Sequence, residues 1–247
     1  MNDDVRNIVL GVIAAGVSAA LGWLSRTYLW RRRLRRKQAF FGLPEHAESL
    51  LVVNRDPAAS EPAVHRHDVF ALLELSALVK ECGAHAQVVT QDAVRQGFGE
   101  RTEFCVGGPS SSRRTAAHMA AMLPGLWVNT DPEPGPGRGA FRVGGETYRM
   151  ERGVSEYVLL ARVTASGRAR PVFLFCGQSA VTNQAATRYL ARHHERLHRK
   201  YGTGPFVLLL LKVLNSQAYG PDVVELVADV TRAARTPPPE PAATPAD

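Results

Sequence analysis

An uncharged apolar run near the N-terminus, followed by a block of cationic side chains, constrains this chain more than any other feature. The run extends from Ile8 to Leu24, and the basic block RRRLRRK occupies Arg31 to Lys37. As a helix the run rises about 26 Å, and continuation to Trp30 gives about 34 Å. This length matches the hydrocarbon core of a bilayer. The pattern predicts one transmembrane helix, Val5 to Trp30, after a short segment of residues 1–4.

The charge order around the run predicts an orientation. Basic residues stay on the cytoplasmic side, so residues from Arg31 onward are expected in the cytosol and the N-terminus outside. A cleavable signal peptide is the alternative, but it carries positive charge before the run, where this chain has Asp3 and Asp4. The basic block is also expected to bind anionic lipid headgroups. Small residues four apart, such as Gly11 and Ala15, are compatible with a homodimer through this helix.

Composition limits the classes of partner. The formal charge is +7, from 30 Lys and Arg against 23 Asp and Glu. Six of these cations lie in the block Arg31 to Lys37, and the remainder is 24 − 23 = +1. The high pI therefore comes from that block, and no nucleic acid partner is expected. The three cysteines, Cys82, Cys105 and Cys176, are scattered in apolar surroundings, as in a protein of a reducing compartment.

Apolar runs and helical periodicity predict an α/β domain over residues 48–235, joined to the first helix by a connector at 31–47. The expected fold is a Rossmann-like three-layer sandwich with a mostly parallel sheet and an antiparallel hairpin insertion. The tail, residues 236–247, is rich in proline and is expected to be disordered. Strands are predicted at 49–54, 86–90, 103–106, 126–129, 141–143, 147–150, 158–164, 172–176 and 206–214, and helices at 69–82, 92–97, 115–123, 181–201 and 222–235.

Two glycine turns of similar design are the most informative local pattern. In FCVGGPSSSRRTAAHMAAML, from Phe104, and FLFCGQSAVTNQAATRYLAR, from Phe173, an apolar strand ends in Gly-x-Ser before an Ala-rich helix. Such turns bind anions through glycine backbone and helix N-termini, and they also serve as plain helix caps. Both interpretations stay open, because neither turn has a full phosphate-binding motif. The predicted ligand-binding residues are Asn54, Asp56, Gly107, Gly108, Ser110, Ser111, Ser112, Arg113, Gly177, Ser179 and Thr182.

Other candidate residues have weaker support. His194-Glu195-Arg196-Leu197-His198 matches the H-E-x-x-H zinc motif, but flanking cations and a solvent-facing Glu195 argue against metal, and no metal site is predicted. His65-Arg66-His67-Asp68 begins the first domain helix and could line the sheet end. Cys105 and Cys176 are expected to be buried structural thiols.

Three functions follow from these patterns. The first is a membrane-anchored cytosolic module that binds a nucleotide or other anionic small molecule as a sensor or effector. The second is a nucleotide or NAD-type hydrolase that uses the same crevice, and the third is a non-enzymatic membrane scaffold. The sequence identifies no cofactor, and it leaves open whether the chain is an enzyme.

Overall fold

The computed structural model describes an α/β domain that follows a long N-terminal helix. Its helices are α1 (Asn2–Phe41), α2 (Arg66–Glu81), α3 (Arg113–Met122), α4 (Ala180–Tyr201), α5 (Ser216–Tyr219) and α6 (Thr231–Arg235). Its strands are β1 (Glu48–Val53), β2 (His85–Thr90), β3 (Thr102–Val106), β4 (Leu126–Val128), β5 (Phe141–Val143), β6 (Glu146–Tyr148), β7 (Ser155–Val163), β8 (Val172–Gly177), β9 (Phe206–Leu214) and β10 (Val224–Asp229). The described residues are 2–54, 63–90, 97–131, 133, 135, 137–164, 169–204 and 206–237.

Helix α1 overturns the predicted membrane span. Among the described residues, no helix combines the length and the apolar content needed to cross a bilayer. The span Val5–Trp30, the single-pass anchor, the outside N-terminus and the membrane-tethered functions derived from them were therefore wrong. The sequence interpretation isolated the apolar run, whereas α1 continues without interruption through the basic block. The helix then ends in the domain, where Phe40 and Phe41 are fully buried.

The main sheet has seven strands in the order β10-β9-β7-β8-β3-β1-β2 within the described residues. Strands β2, β1, β3 and β8 are mutually parallel neighbours. Strand β7 lies antiparallel between β8 and β9, which makes β9 parallel to the first group, and β10 is antiparallel to β9. Five of these strands thus point the same way, and their carboxyl ends meet at one edge of the sheet.

Alternate residues of the strands contribute to two hydrophobic cores, one on each face of the sheet. Leu51 and Phe104 face α2, α4 and the end of α1. Leu50 and Cys105 face the opposite side, where they pack with Met119 of α3 and Phe141 of β5. The three layers follow from this period-two alternation, because each apolar face of the sheet requires its own covering layer.

Two parts of the predicted topology were wrong. The segment 222–235 was predicted to be a helix, but it forms edge strand β10 and the short helix α6. Its valines suit a strand, and pairing with the buried β9 overrides the local helical periodicity. The strand predicted at 126–129 follows the helix predicted at 115–123, and this strand–helix alternation indicated a place in the main sheet. Strand β4 instead joins β5 and β6 in a separate antiparallel sheet, while β7 enters the main sheet. The predicted turn at 92–97 and the tail fall mostly outside the described residues.

Candidate ligand-binding site at the carboxyl edge of the sheet

The structure brings the two glycine turns together. Strands β3 and β8 are parallel neighbours, so Gly107-Gly108 and Gly177 follow them at the same edge. A Cβ atom built on Gly108 would lie 3.9 Å from the carbonyl oxygen of Gly177. Asn54 follows β1, the neighbour of β3 on its other side. Side chains from three adjacent strand ends are thereby close enough to share one site.

A chain of hydrogen bonds connects these strand ends. Asn54 Nδ2 donates to Ser111 Oγ at 3.2 Å, and the Asn54 side chain also hydrogen-bonds to Asp68. Asn183 Nδ2 donates to Asp68 Oδ1 at 2.8 Å, and the backbone N–H of Gly177 donates to Asn183 Oδ1 at 2.7 Å. We call these five residues the edge network. It links the ends of β1 and β8 to the first turns of α2 and α4.

Glycine is required at both turns because side chains of the network fill the space beside them. A Cβ atom on Gly107 would lie 2.5 Å from Asn54 Nδ2, and its φ of +105° is unfavourable for other residues. A Cβ atom on Gly177 would lie 2.2 Å from Thr182 Oγ1 and 2.6 Å from Asn183 Oδ1. The glycines thus let the backbone approach the amide groups closely.

Asp68 is the acid at the centre of the edge network. It is 2 % exposed, and burial raises the pKa of its carboxyl group above the ordinary value of 3.8. The hydrogen bonds from Asn183 and Asn54, and the nearby His65 and His67, oppose this shift without cancelling it. A buried carboxyl group with a raised pKa, held by amide groups, has the properties of a hydrogen-bonding or proton-exchanging group at a site.

One atom of the network has no partner in the part of the chain that the structure describes. Asn54 is 8 % exposed, and its Oδ1 atom is buried without a hydrogen bond to any described residue. Its Nδ2 group is occupied by Ser111 and Asp68, and Ser111 Oγ in turn donates to the carbonyl oxygen of Gly108. Buried polar atoms are nearly always paired in folded proteins. Asn54 Oδ1 is therefore a buried acceptor that no described residue uses.

Several predicted ligand residues serve as helix caps. Ser112 Oγ accepts from the backbone N–H of Thr115, and Thr182 Oγ1 accepts from the backbone N–H of Ser179. Ser179 Oγ donates to the buried carboxylate of Glu156 at 2.8 Å. Capping thus uses Ser112 in the first turn and Thr182 in the second. Gly108 and Ser111 of the first turn are half-buried.

The remaining predicted site residues are not part of the edge network. Ser110 and Arg113 are exposed beside the first turn. Asp56 lies outside the described residues. Asn183 and Glu156 were not predicted, because an Asn inside an Ala-rich helix and a Glu before an apolar strand give no motif. The amide-rich sequence after the second glycine turn, TNQ at 182–184, was the one available signal.

A second buried polar cluster contains residue types that can bind a metal ion. Ligand atoms of Glu103, Cys105 and His118 lie within 4.8 Å of one another. Arg114, however, pairs with both carboxylate oxygens of Glu103, and His118 Nε2 lies 3.2 Å from Oε2. Burial, and the nearby Glu103 carboxylate, raise the pKa of the Cys105 thiol far above its usual range. A paired carboxylate and a neutral thiol do not suit a cation, so this cluster is an ion pair rather than a metal site.

The H-E-x-x-H segment holds helix α1 against the domain. The ring centroid of His194 lies 5.7 Å from that of Phe41, and the ring centroid of His198 lies 5.9 Å from that of Phe40. Glu195 is exposed. The two imidazoles therefore pack on the buried phenylalanines, and the motif has a structural use.

Comparison of the chain with protein families, with characterised proteins and with solved structures found no match. The function is therefore inferred from the geometry of the site.

Proposed function

We propose that the carboxyl edge of the sheet binds a small, uncharged molecule that carries hydroxyl groups, such as a sugar or another polyol. The observation that supports this proposal most is the buried Oδ1 atom of Asn54, which has no partner among the described residues. A hydroxyl group of the ligand donates to this atom after the surrounding groups move aside, because the atom itself is enclosed in the structure. The edge network holds the Asn54 side chain in place through Ser111 and Asp68.

Charge at the site favours a neutral ligand over the anionic one expected from the sequence. Asp68 and Glu156 are both 2 % exposed and lie at this edge. An ionised carboxylate at this edge would repel a phosphate or carboxylate ligand that binds beside it. The N–H groups at Gly177 and Ser179 are also occupied, by Asn183 Oδ1 and Thr182 Oγ1. Hydroxyl groups fit instead, because each both donates and accepts.

Ser111 supplies the second contact to the ligand. Its hydroxyl donates to Gly108 and accepts from Asn54, which leaves one lone pair for a ligand hydroxyl. We place the entrance beside the first glycine turn, where Ser111 is half-buried and Ser110 is exposed. The close approach permitted by Gly107 keeps the Asn54 amide within reach of this entrance.

A thermal-shift screen of the full chain against neutral sugars and polyols tests the proposal. A ligand that binds the folded state stabilises it by about 2.7 kcal/mol when present at 100-fold excess over Kd, and this raises the melting temperature. We expect at least one neutral polyol to stabilise the wild type and to have no effect on Asn54→Ala. The matched control is Asn129→Ala, which removes an asparagine that bonds to Gly137 in the proline-rich loop and should keep the response. A response preserved in Asn54→Ala, or no response to any neutral polyol, contradicts the proposal.

A further inference from the structure

The tautomer of His67 is determined by a chain of side chains along α2 and α4. Arg188 Nε donates to Glu74 Oε1 at 2.9 Å, and Gln184 Nε2 donates to the same oxygen at 2.8 Å. The amide oxygen of Gln184 must then face His67, whose Nδ1 atom lies 2.8 Å from it. An amide oxygen can only accept, so His67 Nδ1 carries the proton. The Nε2 atom of neutral His67 therefore presents a lone pair.

His65 has the opposite tautomer. It is the N-cap residue of α2, and its Nδ1 atom accepts from the backbone N–H of His67 at 3.3 Å. An accepting nitrogen carries no proton, so neutral His65 has its proton on Nε2. The two rings are stacked, with centroids 5.6 Å apart and an angle of 16° between their planes. One ring thus offers a donor and its neighbour an acceptor, side by side.

These rings stand at the edge of the site described above. Asp68 follows His67 in the chain, and its carboxyl group is close enough to both imidazoles for their charges to affect its pKa. His65 is exposed and His67 is half-buried, whereas Asn54, which hydrogen-bonds to the same Asp68, is buried with its Oδ1 atom unpaired among the described residues. The two rings therefore supply a donor and an acceptor beside Asp68, and Asn54 supplies a further, buried acceptor.

We propose that His65 and His67 recognise two adjacent hydroxyl groups of the ligand. One hydroxyl accepts from His65 Nε2–H, and the other donates to His67 Nε2. This inference rests on the proposed function and narrows its ligand class to molecules with a vicinal diol. A metal ion does not fit the same rings, because His65 would need lone pairs on both nitrogens at once, which neutral imidazole lacks.

Nitrogen-15 NMR of the imidazoles in the full chain tests the tautomers without any ligand. We expect wild-type His67 to be protonated at Nδ1 and His65 at Nε2. Gln184→Leu should shift His67 toward the Nε2-protonated form, while the control Gln87→Leu, on exposed strand β2, should not. An Nε2-protonated His67 in the wild type overturns the inference, and it does so independently of the proposed function.

Titration with methyl β-D-ribofuranoside, which has one vicinal diol, and with methyl 2-deoxy-β-D-ribofuranoside, which has none, tests the diol. We expect the deoxy sugar, which lacks one hydroxyl of the pair, to bind roughly tenfold more weakly, and His67→Phe to remove this difference. Equal affinities of the two sugars in the wild type overturn the inference. If the ribofuranoside shifts the Asn54 amide signal but neither imidazole, the proposed function is supported and the diol inference is overturned. If it shifts neither, the diol inference is overturned, and the wider polyol screen decides the proposed function.

Discussion

Asp68 Oδ1 accepts a hydrogen bond of 2.8 Å from Asn183 Nδ2, and this bond joins the first turns of α2 and α4. The two residues are 115 positions apart in the chain. Because Asn183 also accepts from the backbone of Gly177, a single amide group fixes the end of β8 relative to the acid. The arrangement of the site therefore depends on this pair.

Replacing Asn183 by Ala should destabilise the domain. The change leaves the Gly177 N–H and one oxygen of Asp68 without their partners, and each unsatisfied buried group costs about 1–3 kcal/mol. We expect the free energy of unfolding, measured with urea, to fall by about 3 kcal/mol. Asn129→Ala, which breaks the two side-chain hydrogen bonds of Asn129 with Gly137 and Asp131 in a loop, should cost only about 1 kcal/mol, because water can replace these partners. Equal losses in the two variants would refute a central role for Asn183.

Gly107→Ala should be more harmful than an alanine at another glycine with positive φ. Both Gly107 and Gly145 have positive φ, at +105° and +87°, so each substitution strains the backbone. Only at Gly107 would the new Cβ also contact Asn54, at 2.5 Å, whereas nothing lies within 4 Å at Gly145. We expect an additional loss of about 1–3 kcal/mol at Gly107, measured by urea denaturation, together with loss of polyol binding. Similar losses of stability at both positions would show that the Asn54 side chain can move aside at little cost in free energy.

The ion pair of Glu103 and Arg114 should behave as a coupled unit. Burial alone would raise the pKa of Glu103, but hydrogen bonds from His118 and Arg114 outweigh it and lower the pKa below 4.5. Glu103→Leu leaves the half-buried Arg114 without this carboxylate and should cost about 3–5 kcal/mol. The double variant Glu103→Leu, Arg114→Leu should recover most of that loss in urea denaturation. Additive losses would contradict the coupling.

Stability should fall as the pH falls below 6.5, partly because of His198. Burial lowers the pKa of His198 from 6.5, and Arg162, Arg36 and His194 lower it further. A histidine whose pKa is lower in the folded state binds fewer protons there than in the unfolded state. Its stabilising contribution is therefore complete above 6.5 and is lost as the pH falls through that value toward the folded-state pKa.

His198→Phe isolates this contribution, because it keeps an aromatic ring beside Phe40 and removes the titration. We expect the urea midpoint of the variant to decrease less than that of the wild type between about pH 7.5 and about pH 5.5. The background from other titrating groups, including His193, whose pKa is also lowered by burial, is common to both proteins. Parallel decreases in the two proteins would exclude His198 as a contributor.

The sequence predicted most of the strands and helices of the domain, because their signals are local. Continuous apolar runs identified β1, β3, β8 and β9, and glycine after an apolar helix located the end of α2. Strand β10 was not recognised, since its valines repeat at a spacing that also fits a helix, and its pairing with β9 depends on distant residues. The membrane span failed for a related reason, because one apolar window was interpreted apart from the helix that contains it.

Only some residues of the candidate site could be recognised from the sequence. Glycine turns can be recognised from sequence, and the structure places both at one edge as expected from parallel strands. Asn183 and Glu156 carry no motif, and their roles arise when α4 and β7 pack beside the turns. Capping also cannot be separated from ligand binding by sequence, since both use Ser and Thr before a helix.

The most direct test of the central claim is an NMR titration of the full chain that follows the side-chain amide of Asn54 as a neutral polyol is added. If the carboxyl edge is the binding site, the Asn54 amide signals should shift and saturate together with those of Asn183, while the Asn129 amide stays in place. If a polyol binds and the Asn54 signals do not move, the ligand lies elsewhere and the account is contradicted.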